Sequence, residues 1–414
     1  MRIFVDGTES FWRPENRTGI QRVVREVCCR CAAQAPAGAE VFPVQFDGRR
    51  WGAFRRVDGP IYRGFVWARL VTSRCRAWRR LARAEWKASP SRLWLILAML
   101  GGLFGLALGS ACASVIRLFL RAAPVPEMRS GDVLLGLDYP VQRRESVAAA
   151  KAVGVRLVSV IYDCVPLSHP QFYKHDKEFA ELFDWSLANA EGIMTISAFA
   201  QREIEARVPA NGPWVEHFYL GADFTRPSAS APRPELVAAF TQPCFLMVGT
   251  IALHKNHLQV IKAMELHWKE GGEAHLLIVG KVGWQADTVL GLISKHAEQG
   301  RRLFAFYDLD DDELAYAYAR AHALVAASYV EGFGLPLVEA LGRGLPVIAA
   351  DIPVFREIGR RAVEFFALDD IPALTSVLGR RAVESRREVE GWEWLKWDES
   401  TRLLLEKVLK RIDP

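Results

Sequence analysis

Glu331 and Glu339 stand eight positions apart in the stretch EGFGLPLVEALGRGLPVIAADIPVFREI, with Gly332, Gly334 and Pro336 between them. The glycines let the backbone approach a ligand closely, and Pro336 suits the first turn of a helix, whose leading amides have no helical acceptor and attract anions. Glu331 then falls in the loop before that helix and Glu339 about one turn inside it, so two carboxylates line one side of a pocket with the helix start between them. Carboxylates accept hydrogen bonds from sugar hydroxyls, and free amides receive phosphate. The pattern therefore points to a ligand carrying hydroxyls and phosphates together. Either glutamate alone would read equally well as an ordinary loop or helix charge.

These residues need strands and helices to hold them. Apolar runs at residues 3–6, 133–137, 157–162 and 192–197 read as strands, and residues 20–33 and 147–153 read as helices. After Gly221 the sequence TRPSASAPRPE has no apolar period and reads as a linker. A second alternation follows, with strands predicted at 245–248, 274–279, 303–307, 323–327 and 346–350 and helices at 258–268 and 312–321. The expected class is α/β, two doubly wound Rossmann-like domains facing a central cleft, with ligands at the carboxyl ends of the strands. The predicted boundaries are an N-terminal domain over 1–225, a linker over 226–242, a C-terminal domain over 243–395 and a final helical segment over 396–414.

The 414 residues, half of them hydrophobic, exceed what one core usually serves. A net charge of +5 is too small an excess for a chain built to bind nucleic acid. The seven cysteines include Cys28, Cys29 and Cys31 within one helical pattern, where they read as buried thiols without metal-ligand spacing. The scatter of the other four suits a reducing compartment, and the opening MRIFVDG has no leader pattern, so a cytoplasmic chain is expected.

One segment does not fit a plain α/β protein. Residues 93–116 carry no charge and are long enough to cross a bilayer, while residues 63–92 carry nine Lys or Arg against the single acid Glu85. A single crossing would put two parts of one sheet on opposite sides of the membrane. The remaining readings of this 63–121 insert are a hairpin dipping into one leaflet, an in-plane helix, or a buried helix pair beside a solvated basic helix. The basic flank favours contact with an anionic cytoplasmic leaflet.

With its glutamate pair separated by seven residues, the sequence resembles glycosyltransferase family 4 over nearly the whole chain apart from residues 50–130. The resemblance implies the GT-B fold and transfer with retention of anomeric configuration. It implies that Glu331, with Phe333, Gly334 and Leu335, holds the transferred sugar, and that Glu339 binds the ribose of the nucleotide. MVGTIALHKNHLQVIKAM looks like the family's strand and diphosphate-binding loop, which makes Lys255 the cation for the leaving diphosphate, helped by Lys281. Gly19 in NRTGIQRVVREV is placed like the glycine that touches the donor phosphates, and WEWLKWDESTRLLLEKVL resembles the final helix that crosses back to the first domain. The chain departs from the pattern at Thr250 and His254, where relatives often carry basic residues, and at Tyr162, where many carry histidine. Asp163 then orients acceptor or donor, or has a structural role at a strand end.

The resemblance implies a nucleotide-sugar donor and no cofactor or metal. DLDDDEL at 308–314 has acidic spacings like those of a metal site and is read instead as the start of a helix. The expected reaction moves a hexosyl group to a lipid-linked or polysaccharide acceptor in surface polysaccharide synthesis, at the inner face of the plasma membrane. GDP-mannose is the leading donor, with dTDP-rhamnose and UDP-sugars open. The rival readings are a nucleotide-sugar epimerase of the same fold and an inactive scaffold of an assembly complex.

Overall fold

The computed structural model describes residues 1–8, 10, 19–46, 50–54, 124–138, 144–173, 176–223, 231–386, 389 and 391–413. The whole of the insert expected over 63–121 lies outside them, and with it Cys75 and Cys112. The chain divides into two compact units, residues 1–160 and 161–414.

In the first unit, β1 (Arg2–Asp6) lies between β2 (Glu40–Phe46) and β4 (Val133–Gly136), parallel to both. β3 (Trp51–Ala53) runs antiparallel on the outer edge of β2, and β5 (Arg156–Val160) runs parallel to β4. Ile3, Phe4 and Val5 are fully buried, as a central strand covered on both faces requires. Helix α1 (Gly19–Arg30) buries Val23, Val24, Val27 and Cys28 along one stripe, and α2 (Arg144–Ala152) leads into β5. The buried-thiol expectation holds for Cys28 and Cys31. Cys29 is exposed, because one step of about 100° round α1 turns it from the core to solvent.

The second unit opens with a short helix α3 (Val165–Ser168), helix α4 (Asp176–Asn189), the parallel pair β6 (Gly192–Thr195) and β7 (Trp214–His217), and helix α5 (Ala198–Glu205) between those strands. Ile161, Phe183, Ile193, Ile204 and Val215 form their shared core. Inside the stretch expected to be linker, residues 234–238 form helix α6 (Pro234–Ala238), anchored by buried Leu236.

A six-stranded, all-parallel sheet follows: β8 (Cys244–Val248), β9 (His275–Val279), β10 (Leu303–Phe306), β11 (Ala323–Ala326), β12 (Val347–Ala350) and β13 (Val363–Phe366), in the order β10-β9-β8-β11-β12-β13. Helices α7 (His257–Lys269), α8 (Asp287–Lys295), α9 (Asp311–Arg320), α10 (Leu335–Leu341) and α11 (Pro353–Gly359) are the crossovers, and α12 (Ile371–Val383) packs on α7. The strand order reverses at β8/β11, which brings the loops after these two strands together at a topological switch point. The last helix, α13 (Trp397–Ile412), lies on the β7 segment: Ser400 Oγ donates to the Tyr219 carbonyl at 2.6 Å, and Lys407 and Arg411 reach Glu216 at 3.1 and 2.9 Å.

Candidate functional site

At the switch point the loop after β8 carries Lys255 and the loop after β11 carries Glu331. Lys255 closes a 3₁₀ turn over Leu253–Lys255, and Asn256 reverses the chain into α7 with a left-handed φ of 55°. This turn aims the Lys255 ammonium at Glu331 Oε1, and the two form an ion pair. Ser328 Oγ donates to the same carboxylate oxygen at 2.7 Å. Burial alone would raise the Glu331 carboxyl, but Lys255 foremost, with His254 and Ser328, holds it below the ordinary carboxylate range.

Asp163 joins this pair from the loop after β5. Burial, opposed by a 3.1 Å bond from the Val165 amide to its Oδ1, pushes its pKa up to about 6, with Glu331 raising it and Lys255 lowering it. A Cβ on Gly332 would come within 2.9 Å of the Asp163 side chain and 3.1 Å of the Tyr162 carbonyl. The bare backbone of Gly332 therefore serves the approach of Asp163, where the sequence pointed only to a ligand. Tyr162 itself is buried at the strand end. Ser197 Oγ, at the start of α5, donates to the Gly332 carbonyl at 2.8 Å and fixes the same loop. The Glu357 carboxylate on α11 accepts from the Ala198 and Phe199 amides at 2.7 and 2.8 Å.

Gly334 takes φ = 99° at the start of α10, with Pro336 in the first turn as expected. Among the described residues, the amides of Phe333, Gly334 and Leu335 meet no acceptor, so they are free to bind one. The Phe333 ring is buried between Tyr219 and Trp394, with centroids 6.5 and 5.9 Å away, which leaves its backbone for ligand contact. Glu339 is 5 % exposed, and its Oε2 accepts from Tyr318 Oη at 2.8 Å.

A slot of about 20 Å³ beside Lys255 and Glu331 is lined by Gly249, Ser328, Gly334 and Pro336 among others. Lys281 is exposed in the loop after β9, where its carbonyl accepts from the Ile251 amide at 2.9 Å. Gly19 is the first residue of α1, and residues 11–18 before it lie outside the described residues.

Thus Lys255, Glu331 and Asp163 converge, with Phe333, Gly334, Leu335 and Glu339 on the adjoining loop and helix. Sequence reasoning missed Ser328, Ser197, Tyr318 and Glu357. Ser197 had a signal, a serine just before a helical period, and it does cap α5 by accepting from the Ala200 amide at 3.0 Å. The acidic run at 308–314 begins a helix as expected: Asp310 caps α9 in a capping box with Glu313, and Glu313 pairs with Arg233 at 2.7 Å. No group of three or more His, Cys, Asp or Glu among the described residues could hold a metal.

Residues 232–369 match the family model described as glycosyl transferases group 1. The chain is 32 % identical over 300 residues to the serotype-specific mannosyltransferase WbdA of Escherichia coli, an alignment covering 67 % of this chain and 37 % of WbdA. It is 26 % identical over 242 residues to the O-antigen chain mannosyltransferase B of Escherichia coli, covering 56 % of this chain and 63 % of that protein. The chain thus spans little more than a third of WbdA. Among solved structures, HepE from Anabaena in complex with UDP and glucose matches with a TM-score of 0.56 and 13 % identity, over 100 % of this chain and 96 % of that one. WaaG, a glycosyltransferase involved in lipopolysaccharide biosynthesis, matches with a TM-score of 0.52 and 14 % identity over 98 % and 95 %. These likenesses establish the fold, GT-B.

Proposed function

We propose that this chain, a glycosyltransferase of GT-B fold, moves a hexosyl group from a nucleotide sugar to a glycan acceptor in surface polysaccharide synthesis, with retention of anomeric configuration. The observation that carries the reading is the convergence of Lys255, Glu331 and Asp163 at the β8/β11 switch point, beside the free amides of Phe333, Gly334 and Leu335. A dianionic diphosphate needs a fixed cation and amides, and a hexose needs acceptors for its hydroxyls. Both sets stand side by side here.

In the proposed reaction the acceptor hydroxyl oxygen bonds to the sugar C1 on the face from which the C1–O bond to the diphosphate breaks. The hydroxyl proton passes to an oxygen of the departing diphosphate. Lys255 exchanges Glu331 for this growing negative charge; Glu331, once released, accepts from the sugar hydroxyls, and the 333–335 amides donate to oxygens of the donor. Glu339 takes the ribose hydroxyls, and Lys281 and Gly19 add phosphate contacts. No metal enters this scheme. Asp163 orients a hydroxyl of donor or acceptor.

GDP-mannose is the proposed donor, supported by the names of the aligned mannosyltransferases. A lipid-linked acceptor and peripheral contact with the inner membrane face rest on the composition of residues 63–121 alone. The test is a panel of GDP-mannose, dTDP-rhamnose and UDP-sugars, screened for thermal stabilisation and slow donor hydrolysis with wild type, Lys255→Ala and Glu339→Ala. One donor that stabilises and is cleaved by wild type alone supports the reading. Folded protein that binds no nucleotide sugar overturns it.

A further inference from the structure

A second, larger cavity lies beside the Lys255 turn. It has a volume of about 320 Å³ and is lined by Phe172, His257, Gln259, Lys262, Tyr329 and Asp369, of which only His257 also borders the slot at Lys255. A single water occupies about 30 Å³ of liquid, so this space holds a ligand of several ring atoms. Its walls differ in chemistry. Phe172 and Tyr329 present aromatic rings stacked on each other, with centroids 5.4 Å apart and planes inclined at 18°. Tyr329 Oη donates to Asp369 Oδ1 at 2.6 Å, and Gln259 Oε1 accepts from Asn256 Nδ2 at 2.6 Å and from the Asp369 amide at 3.2 Å. His257 is 2 % exposed, and among the described residues its Nδ1 has no partner. A buried ring nitrogen left without a partner is costly unless a ligand supplies one.

We propose that this cavity is a second carbohydrate subsite that holds one pyranose ring of the glycan chain; the proposal rests on the glycosyltransferase reading. A pyranose has an apolar C–H face and a rim of hydroxyls. The aromatic rings match the face, while the Asp369 carboxylate, the Gln259 amide and His257 Nδ1 match the rim. The lining carries one carboxylate, Asp369, against one ammonium, Lys262, so it has no excess of cations to draw a phosphate. Because His257 begins α7 two residues after Lys255, a sugar held here bears on the turn that aims the ammonium.

The experiment is calorimetric titration of purified protein with α-linked mannotriose and, separately, maltotriose, followed by the donor-hydrolysis assay on the same samples. Wild type binds one trisaccharide, and Asp369→Ala and Phe172→Ala each weaken it by about tenfold, the size expected for losing a charged hydrogen bond or a stacking face. Glu339→Ala leaves that binding unchanged, and Asp369→Ala leaves donor hydrolysis unchanged. Asp369 is exposed, so its variant folds even if Phe172→Ala does not. Binding of neither trisaccharide overturns the proposal, as does binding that Glu339→Ala abolishes and Asp369→Ala spares. Trisaccharide binding without turnover of any nucleotide sugar leaves the subsite standing and removes the transferase reading. Turnover without trisaccharide binding does the reverse.

Discussion

Replacing Lys255 by alanine leaves the Glu331 carboxylate largely buried with Ser328 as its remaining side-chain donor. An uncompensated charge in such a place costs about 2–3 kcal/mol of stability. Removing the same ammonium from the transition state lowers kcat by about 10²–10³, as losing one preorganised electrostatic group generally does. The two effects separate in the double variant Lys255→Met with Glu331→Gln. Thermal melts recover towards wild type because no charge is left unpaired, while donor turnover stays at the single-variant level or below. Asp163 has the opposite sign. Its carboxyl is raised from 3.8 to about 6 in the folded chain, so proton binding favours folding. That contribution is fully present below about pH 4 and lost as pH rises through 6. Asp163→Asn keeps an acceptor for the Val165 amide and therefore raises Tm at pH 8, by up to about 3 kcal/mol in stability, with the gain shrinking as the pH is lowered towards 5. A Tm gain that grows on acidification would show that the carboxylate, not the acid, is the form the fold prefers.

The elements that carry the site were legible because each has a strong local cause. The strand 245–248 and the helix 258–268 follow from an uninterrupted apolar run and a clear helical period, and the structure gives Cys244–Val248 and His257–Lys269. Gly334 and Pro336 marked the start of α10 for the same reason. Strands β2, β7 and β13 were not legible: Pro43 interrupts the first, and EVFPVQF, WVEH and VEFF mix polar and apolar residues without the continuous runs of central strands. Tyr318 was invisible as a partner of Glu339 because the two belong to different helices, α9 and α10, joined only by the fold. The acidic start of α9 tests how far such local reading can be taken. Asp310 accepts from the Glu313 amide at 2.9 Å, and Glu313 also holds Arg233. Asp310→Ala removes the cap and costs about 1 kcal/mol, read as a lower midpoint in urea. Added Mg²⁺ or EDTA leaves the melting temperature of wild type and variant unmoved. Stabilisation of wild type by Mg²⁺ that Asp310→Ala abolishes would make the acidic run a metal site after all.

At the scale of the whole chain, the strand register constrains the insert. Ile3 of β1 pairs with Val41 of β2 on one side and with Val133 of β4 on the other. The residues between β3 and β4 therefore leave one sheet and return to it, and a single bilayer crossing between them would tear parallel neighbours apart. No helix among the described residues is long and apolar enough to cross a membrane. Residues 93–116 nevertheless have the composition of a membrane-facing segment beside nine cations, and each cation near an anionic surface contributes about 1 kcal/mol. The hydrogen bonds of β1 run to β2 and β4, so deleting 93–116 and joining its ends removes none of these partners. The deletion variant is expected to fold, to hydrolyse its donor sugar at near the wild-type rate, and to lose most of its recovery with anionic vesicles of phosphatidylglycerol in a flotation assay. Charge reversal at Arg79, Arg80 and Arg83 in the full chain lowers that recovery in part, since the apolar stretch remains. If the folded deletion variant floats with the vesicles as well as wild type does, the insert is not the membrane contact.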